Sequence, residues 1–496
     1  MRYIEVPTRD GTVLRGFHYA PAEPGPVVLV LTPYGADRFH RDGEFFADRG
    51  YHFVSVDSRG RGGSDGEFRP FHDDGADGHD AVTWLADQPF ARGGVVTYGG
   101  SYSGFVQWAV ASTRPPALRG LAPAASVYPG VDFPAVGGIP TAYAVQWLSY
   151  THGRRLNTGP WADDERWRKA HRDLGNRPFR DLDIASVGER LPAFQEWLDH
   201  PAYDDYWASF VPSEPTGLPV LTVTGQYDDD QLGALTYLEQ HPPTHTASRL
   251  VIGPWDHAGT RSAANTFGGL NFPADSAIDL LALHADWYDW ILDRGPCPNF
   301  LAEPVTYYHI GAGWRHAPSL HEKQPTLLRL PETTLVMDPA LVEDEPQEFR
   351  EELADGAFVH TTPAHDVSGR PRAVLNLSTD LPDFDLLVQL YLLRDDATLL
   401  SETVFRARHH DLTAGPVELT LPFISRTAEP GDRFGTRIRA PHRRYETNHA
   451  ARGEVRLGTD SYLAIPAAEH HGSGPGSSRS SSSTRSPVTT TDNAGR

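Results

Sequence analysis

The sequence predicts an α/β fold, an open parallel sheet interrupted by a helical insertion, followed by an all-β region. Three observations carry this. Continuous apolar runs recur up to about residue 252, among them Val27-Val28-Leu29-Val30-Leu31 and Leu250-Val251-Ile252, and such runs suit parallel strands covered on both faces. Helical patterns lie between several of these runs. Beyond residue 300 the pattern changes to short strands separated by Pro, Gly, Asp and Asn, a β-sandwich signature.

Taken in order, residues 3–8 and 12–20 alternate in polarity around Arg9-Asp10-Gly11, a hairpin signal. Buried strands are expected at 27–31, 53–56, 95–98, 118–123, 220–224 and 250–252, with helices at 80–86 and 105–113. Residues 128–216 break the alternation. They read as helical pieces at 142–150, 163–174, 186–190 and 193–199, with tryptophans at 147, 161, 167, 197 and 207. A further helix is expected at 282–292, then strands at 306–310, 327–330, 373–377, 385–393 and 417–421. The expected organisation is an α/β domain at 1–127 and 217–299, a helical cap at 128–216, a β-sandwich at 300–467 and a disordered tail at 468–496. That tail is dominated by Ser and Thr and has almost no apolar side chains to bury.

The 496 residues carry a net charge of -21, with 65 acidic side chains against 44 basic ones. An acidic chain without a basic patch argues against nucleic acid and anionic membrane surfaces as partners. No run of 18 apolar residues marks a membrane span, and the N-terminus lacks the apolar core of a signal peptide, so a cytoplasmic protein is expected. The single cysteine, Cys297, excludes disulfides within the chain and sits in a turn-like Gly295-Pro296-Cys297-Pro298 setting unsuited to thiol catalysis. His470-His471 lacks partners at ligand spacing, and neither a metal nor an organic cofactor is expected.

The most informative stretch is Gly99-Gly100-Ser101-Tyr102-Ser103-Gly104. A strand runs into it and apolar helix material follows, which is the nucleophile elbow of α/β-hydrolases. The usual glycine two places after the serine is Ser103 here, and Gly104 comes one later. Gly62-Gly63-Ser64-Asp65-Gly66 fits the bare pattern better, but a polar loop rather than a helix follows Ser64. A serine hydroxyl needs a base and an acid that orients it. In α/β-hydrolases these follow the serine in the order acid, then His, at strand ends. The strand at 219–224 leads into Gly225-Gln226-Tyr227-Asp228-Asp229-Asp230, and the strand at 250–252 leads into Gly253-Pro254-Trp255-Asp256-His257. Asp228 and His257 are therefore the candidate acid and base. The oxyanion donors are expected to be the Tyr102 N–H and a group in Thr32-Pro33-Tyr34-Gly35, where Tyr34 offers a phenol.

At these residues the chain resembles the cocaine-esterase and X-Pro dipeptidyl-peptidase group of serine hydrolases, which includes α-amino acid ester hydrolases. The matching pieces are Thr32-Pro33-Tyr34, the segment 57–66, Asp77-Gly78-His79-Asp80 with Trp84, the 99–104 elbow, Gly225-Gln226-Tyr227-Asp228 and Gly253-Pro254-Trp255-Asp256-His257. The run 199–207 resembles the family's cap. The resemblance implies Ser101 as nucleophile, His257 as base, Asp228 as orienting acid, and Tyr34 with Tyr102 as the oxyanion hole. It also implies a helical cap and a C-terminal jelly-roll domain. Gln226 stands where the family often has tryptophan and is expected to line the acyl pocket, with Trp255 and Asp230 as further substrate contacts. Some relatives hold a substrate amino group in a carboxylate cluster. Asp230 matches one of its positions, Gln231 replaces a second acid, and Asp132 is a candidate third.

The expected activity is hydrolysis of an ester, amide or short peptide through an acyl-enzyme. Acyl transfer or cyclisation by the same triad is the alternative, and a non-catalytic binding protein on a hydrolase scaffold is a third reading. A homodimer is plausible from the wide β surface.

Overall fold

The computed structural model describes residues 1–468 except 174–177, 243, 321–323, 347, 355 and 447–451. The expected tail lies outside the described residues apart from Ala468. Ten strands form the central sheet: β1 (Arg2–Pro7), β2 (Val13–Tyr19), β3 (Gly25–Thr32), β4 (His52–Asp57), β5 (Ala91–Ser101), β6 (Leu118–Ser126), β7 (Leu221–Tyr227), β8 (Arg249–Asp256), β9 (Val305–His309) and β10 (Gly313–Ala317). Their order is β1-β2-β4-β3-β5-β6-β7-β8-β9-β10. The strands from β3 to β9 are mutually parallel. The β1–β2 hairpin and β10 close the two edges antiparallel.

The apolar runs are continuous because both faces are covered. Val27, Leu29 and Leu31 of β3 pack into one core, and Val28 and Val30 into the other. Each fully buried side chain of this kind contributes about 1.5–3 kcal/mol. Helices α1 (His40–Asp48), α2 (Asp74–Ala86) and α3 (Tyr102–Ser112) cover the first half of the sheet. The helical insertion between β6 and β7 includes α4 (Tyr143–Thr151), α5 (Asp164–Asp173), α6 (Leu182–Val187) and α7 (Pro192–Asp199). Its tryptophans, Trp147, Trp167, Trp197 and Trp207, share one core with β3, α2 and α3, so the insertion is welded to the sheet. Helices α8 (Gln231–Gln240) and α9 (Leu280–Ile291) complete the α/β part.

The strands from Pro325 onwards form antiparallel sheets around a separate core that includes Leu386, Val388, Leu390, Phe405 and Phe434. In Asp385–Leu393 the even-numbered residues from 386 to 392 face that core, the period-2 alternation of a strand. Among the described residues no helix is long and apolar enough to cross a membrane.

Two expectations need correction. The strand expected at 306–310 in the β-sandwich is β9, paired in parallel with β8, so the central sheet continues to Ala317, past residue 300. Its Thr-Tyr-Tyr-His composition lacks the aliphatic run that marks the other parallel strands. The helix expected at 186–190 lies earlier, at Leu182–Val187, and ends at Gly188 with φ 96. Asp183 at its start is buried and accepts from the N–H groups of Ile184 and Leu191, which fixes the helix there.

Candidate active site

The turn from β5 into α3 places Ser101 at φ 60, ψ -129, a conformation a non-glycine residue adopts only under constraint. The neighbours show what holds it. A Cβ on Gly99, at φ +138, would lie 2.8 Å from the Ser103 Cβ. A Cβ on Gly104 would lie 3.0 Å from the Ser126 Cα, so close packing of α3 on β6 requires glycine at 104. Position 103 has no such need, and the Ser103 hydroxyl donates to Thr32 Oγ1 at 3.0 Å. Tyr102 anchors the helix start. Its hydroxyl donates to Asp74 Oδ2 at 2.6 Å and accepts from the Phe71 N–H at 2.5 Å. Its ring stacks on Trp147 of α4, with centroids 5.2 Å apart. As the first residue of α3, its N–H has no intrahelical acceptor.

Asp228 follows β7 and His257 follows β8. His257 Nδ1 lies 2.9 Å from Asp228 Oδ1. The carboxylate of Asp228 is buried and further held by Thr224 Oγ1 at 2.8 Å and the Asp230 N–H at 3.1 Å. A second carboxylate, Asp230, brings Oδ2 to 3.5 Å from the same Nδ1. Asp229 points elsewhere, 3.5 Å from Arg444 Nη2. Burial draws His257 down, but Asp230 and Asp228 outweigh it. With Arg261 opposing them, the imidazole still sits above its ordinary value. Burial pushes Asp230 and Asp132 well above the usual carboxylate range.

Tyr34, at the end of β3, sets its hydroxyl 3.4 Å from Ser101 Oγ. The Trp147 indole N–H donates to that hydroxyl at 3.0 Å. Burial pushes the Tyr34 phenol up against both hydrogen bonds, so it stays a neutral O–H. Two cavities meet at Ser101, Tyr34, Tyr143, Trp147 and His257. The larger, about 580 Å³, lies towards α1 and the start of α9. The smaller, about 250 Å³, includes Asp132, Asp229, Asp230 and Phe133 in its wall. Asp228, Asp230 and His257 are the one group among the described residues whose potential metal-ligating atoms converge, within 4.8 Å of one another. In that group His257 Nδ1 is already paired with Asp228.

Ser101, Tyr34, Tyr102, Asp228, His257 and Asp230 thus come together, and Asp132 joins them. Its Oδ1 accepts from the Tyr128 N–H at 2.8 Å, and the Gly233 backbone also favours its carboxylate. Two expected substrate contacts do not come to these cavities. Trp255 is fully buried in the sheet core, its indole N–H donating to the Ser276 carbonyl at 2.9 Å. A Cβ on Gly253 would collide with its ring at 2.1 Å, so the Gly-Pro-Trp run reflects packing. The Gln226 amide donates to the Tyr308 carbonyl at 2.6 Å and accepts from the Ser425 N–H at 2.8 Å. It bridges the central sheet to the β region and lines a third cavity, about 530 Å³, whose wall also includes Asp228 and His257. Gln231 is likewise committed, donating to the Gly225 and Phe423 carbonyls. Two residues went unnoticed in the sequence. Trp147 looked like any cap tryptophan, and Arg261 lies four residues past His257 in a loop with no regular pattern.

Comparison with known proteins adds three findings. Residues 10–259, about half the chain, match the family described as X-Pro dipeptidyl-peptidase (S15 family). Cocaine esterase of Rhodococcus sp. (strain MB1 Bresler) is 29% identical over 325 residues, 58% of this chain and 54% of that protein. A polyketide transferase of Gibberella fujikuroi is 37% identical over 92 residues, 17% of this chain and 29% of that one. The matches therefore span about half or less of the length of these curated relatives. Among solved structures, a selenomethionine-labelled α-amino acid ester hydrolase superposes with a TM-score of 0.79 at 20% identity, covering 94% of this chain and 96% of that one. At that identity the likeness shows the shared α/β-hydrolase fold.

Proposed function

The chain belongs to the X-Pro dipeptidyl-peptidase (S15) family, and from that premise we propose that it hydrolyses an ester or amide through a Ser101-His257-Asp228 triad and an acyl-enzyme. The observation that carries this reading is the meeting of three features at one cavity wall. Ser101 is at a strained elbow, the Asp228–His257 pair is at 2.9 Å, and the Tyr34 hydroxyl is 3.4 Å from Ser101 Oγ.

In this mechanism His257 donates its Nδ1–H to Asp228, which leaves the Nε2 lone pair for the Ser101 proton. Ser101 Oγ attacks the carbonyl carbon. The oxyanion takes hydrogen bonds from the Tyr34 O–H and the Tyr102 N–H. The Trp147 N–H, bound to the Tyr34 oxygen, orients the phenol and makes it a stronger donor. His257 then protonates the departing alcohol or amine. Water attacks the acyl-Ser101 ester, with His257 as base, and the acid leaves. In the smaller cavity a substrate ammonium would meet Asp132 and Asp230, two buried carboxyls that ionise more readily beside a cation. The C-terminal strands fit the family's jelly-roll domain, with antiparallel sheets packed around a large apolar core.

Acyl transfer to an alcohol or amine is the second reading. It is favoured by the short match to a polyketide transferase. Turnover of p-nitrophenyl esters and X-Pro dipeptide amides tests the first reading. Turnover of at least one of them is expected, with a mass increase of one acyl group on Ser101 in acid-quenched protein, and turnover without any acyl adduct on Ser101 would contradict the acyl-enzyme. Product analysis with an added competing alcohol separates hydrolysis from transfer.

A further inference from the structure

The larger cavity carries arginines in a chain whose net charge is -21. Arg38, Arg41 and Arg261 line it together with Ser101 and His257. Arg38 is committed, its Nη1 donating to the Tyr150 hydroxyl at 2.8 Å. Arg261 has no carboxylate partner among the described residues. Instead its Nη1 lies 3.3 Å from His257 Nε2, the atom that must receive the Ser101 proton. The methylene stem of Arg261 lies over the elbow. A Cβ on Gly100 would come within 2.7 Å of Arg261 Cδ. Arg41 makes no ion pair among the described residues either, although it is an electrostatic neighbour of Asp42.

Two carboxylates share the cavity. Asp279 caps α9, its Oδ1 accepting from the Ala282 N–H at 3.0 Å. Asp42 sits beside Tyr98, and burial pushes it up to about 6 against the pull of Arg41. Neither forms an ion pair with Arg261. A guanidinium is built for bidentate carboxylate recognition, and an imidazole nitrogen is a poor substitute. Arg261 is thus an anion-binding group next to the reacting centre that no carboxylate among the described residues engages.

We propose that Arg261, assisted by Arg41, binds a carboxylate borne by the part of the substrate that enters the larger cavity, and so sets specificity for acidic esters or amides. In doing so the guanidinium leaves His257 Nε2, and the imidazole becomes free to accept the Ser101 proton. This inference rests on the triad reading and names a substrate class for it.

Binding separates the two claims. In a Ser101→Ala variant, which cannot form an acyl-enzyme, calorimetry compares monophenyl glutarate with the neutral phenyl valerate. The half-ester is expected to bind about 10- to 100-fold more tightly, the range of a charge-assisted hydrogen-bond pair. Adding Arg261→Gln is expected to bring that ratio close to one, and Arg261→Lys to keep part of it. A half-ester that binds no better than the neutral ester, or a preference that survives Arg261→Gln, would overturn the inference. Wild-type protein that hydrolyses neither ester would count against the triad reading alone, because the binding ratio does not depend on turnover.

Discussion

Ser64 and Ser101 both follow a buried strand in a glycine-rich stretch, and Ser64 fits the bare glycine-x-serine-x-glycine pattern better. Their surroundings differ in kind. Ser64 is fully buried, its Oγ donating to the Asp57 carbonyl at 2.6 Å and accepting from the Arg15 N–H at 2.8 Å. The glycine two residues before it serves the same loop, since a Cβ on Gly62 would strike Asp57 Oδ2 at 1.9 Å. Ser101 is held at φ 60 on a cavity wall. Among the described residues its hydroxyl has one side-chain neighbour at hydrogen-bond range, a phenol. A hydroxyl with both hydrogen-bonding capacities used is a structural link. One that is strained and facing open space is available for chemistry.

Substitutions sharpen this contrast, beginning with the largest effect. Ser101→Ala and His257→Ala are each expected to lower kcat by about 10⁴–10⁶-fold with the fold retained. Turnover of p-nitrophenyl esters alongside circular dichroism checks this. Tyr34→Phe removes the phenol donor and is expected to cost about 10²–10³ in kcat. An unchanged kcat would assign the second oxyanion donor elsewhere. Trp147→Phe keeps an aromatic ring but loses the N–H that bonds to the Tyr34 oxygen, for an expected loss of about 2- to 10-fold in kcat. Asp230→Asn acts on the pH profile. Turnover needs neutral His257, so the rate rises with pH through a pKa that sits above the ordinary histidine value. Removing a carboxylate that favours the imidazolium is expected to move that limb to lower pH. Ser64→Ala should leave kcat unchanged and lower stability by about 1–3 kcal/mol, because it strands the Arg15 N–H and the Asp57 carbonyl, measurable by denaturant unfolding.

Much of the α/β part was legible because parallel strands must be apolar along their whole length. The runs at 27–31, 53–56, 95–98, 118–123, 220–224 and 250–252 all lie within or overlap strands of the central sheet. β9 and β10 were misread or missed because neither carries a continuous aliphatic run. The largely buried Thr-Tyr-Tyr-His of β9 and the partly exposed Gly-Trp-Arg-His-Ala of β10 look like any short strand. The strand-end positions of Ser101, Asp228, His257 and Tyr34 could be found because each is anchored to a strand by sequence order. Arg261 and Trp147 could not, since each reaches the site from a separate loop or helix through tertiary packing. Two of the expected substrate contacts carry the same lesson in reverse. Gln226 and Trp255 stand at conspicuous motif positions, yet hydrogen bonds to backbone groups hold both side chains.

The most direct test labels the protein with a fluorophosphonate and locates the adduct by peptide mass spectrometry. The account predicts one adduct, on Ser101, that persists in Ser64→Ala and disappears in Ser101→Ala. An adduct on Ser64, or undiminished labelling of Ser101→Ala, would contradict it.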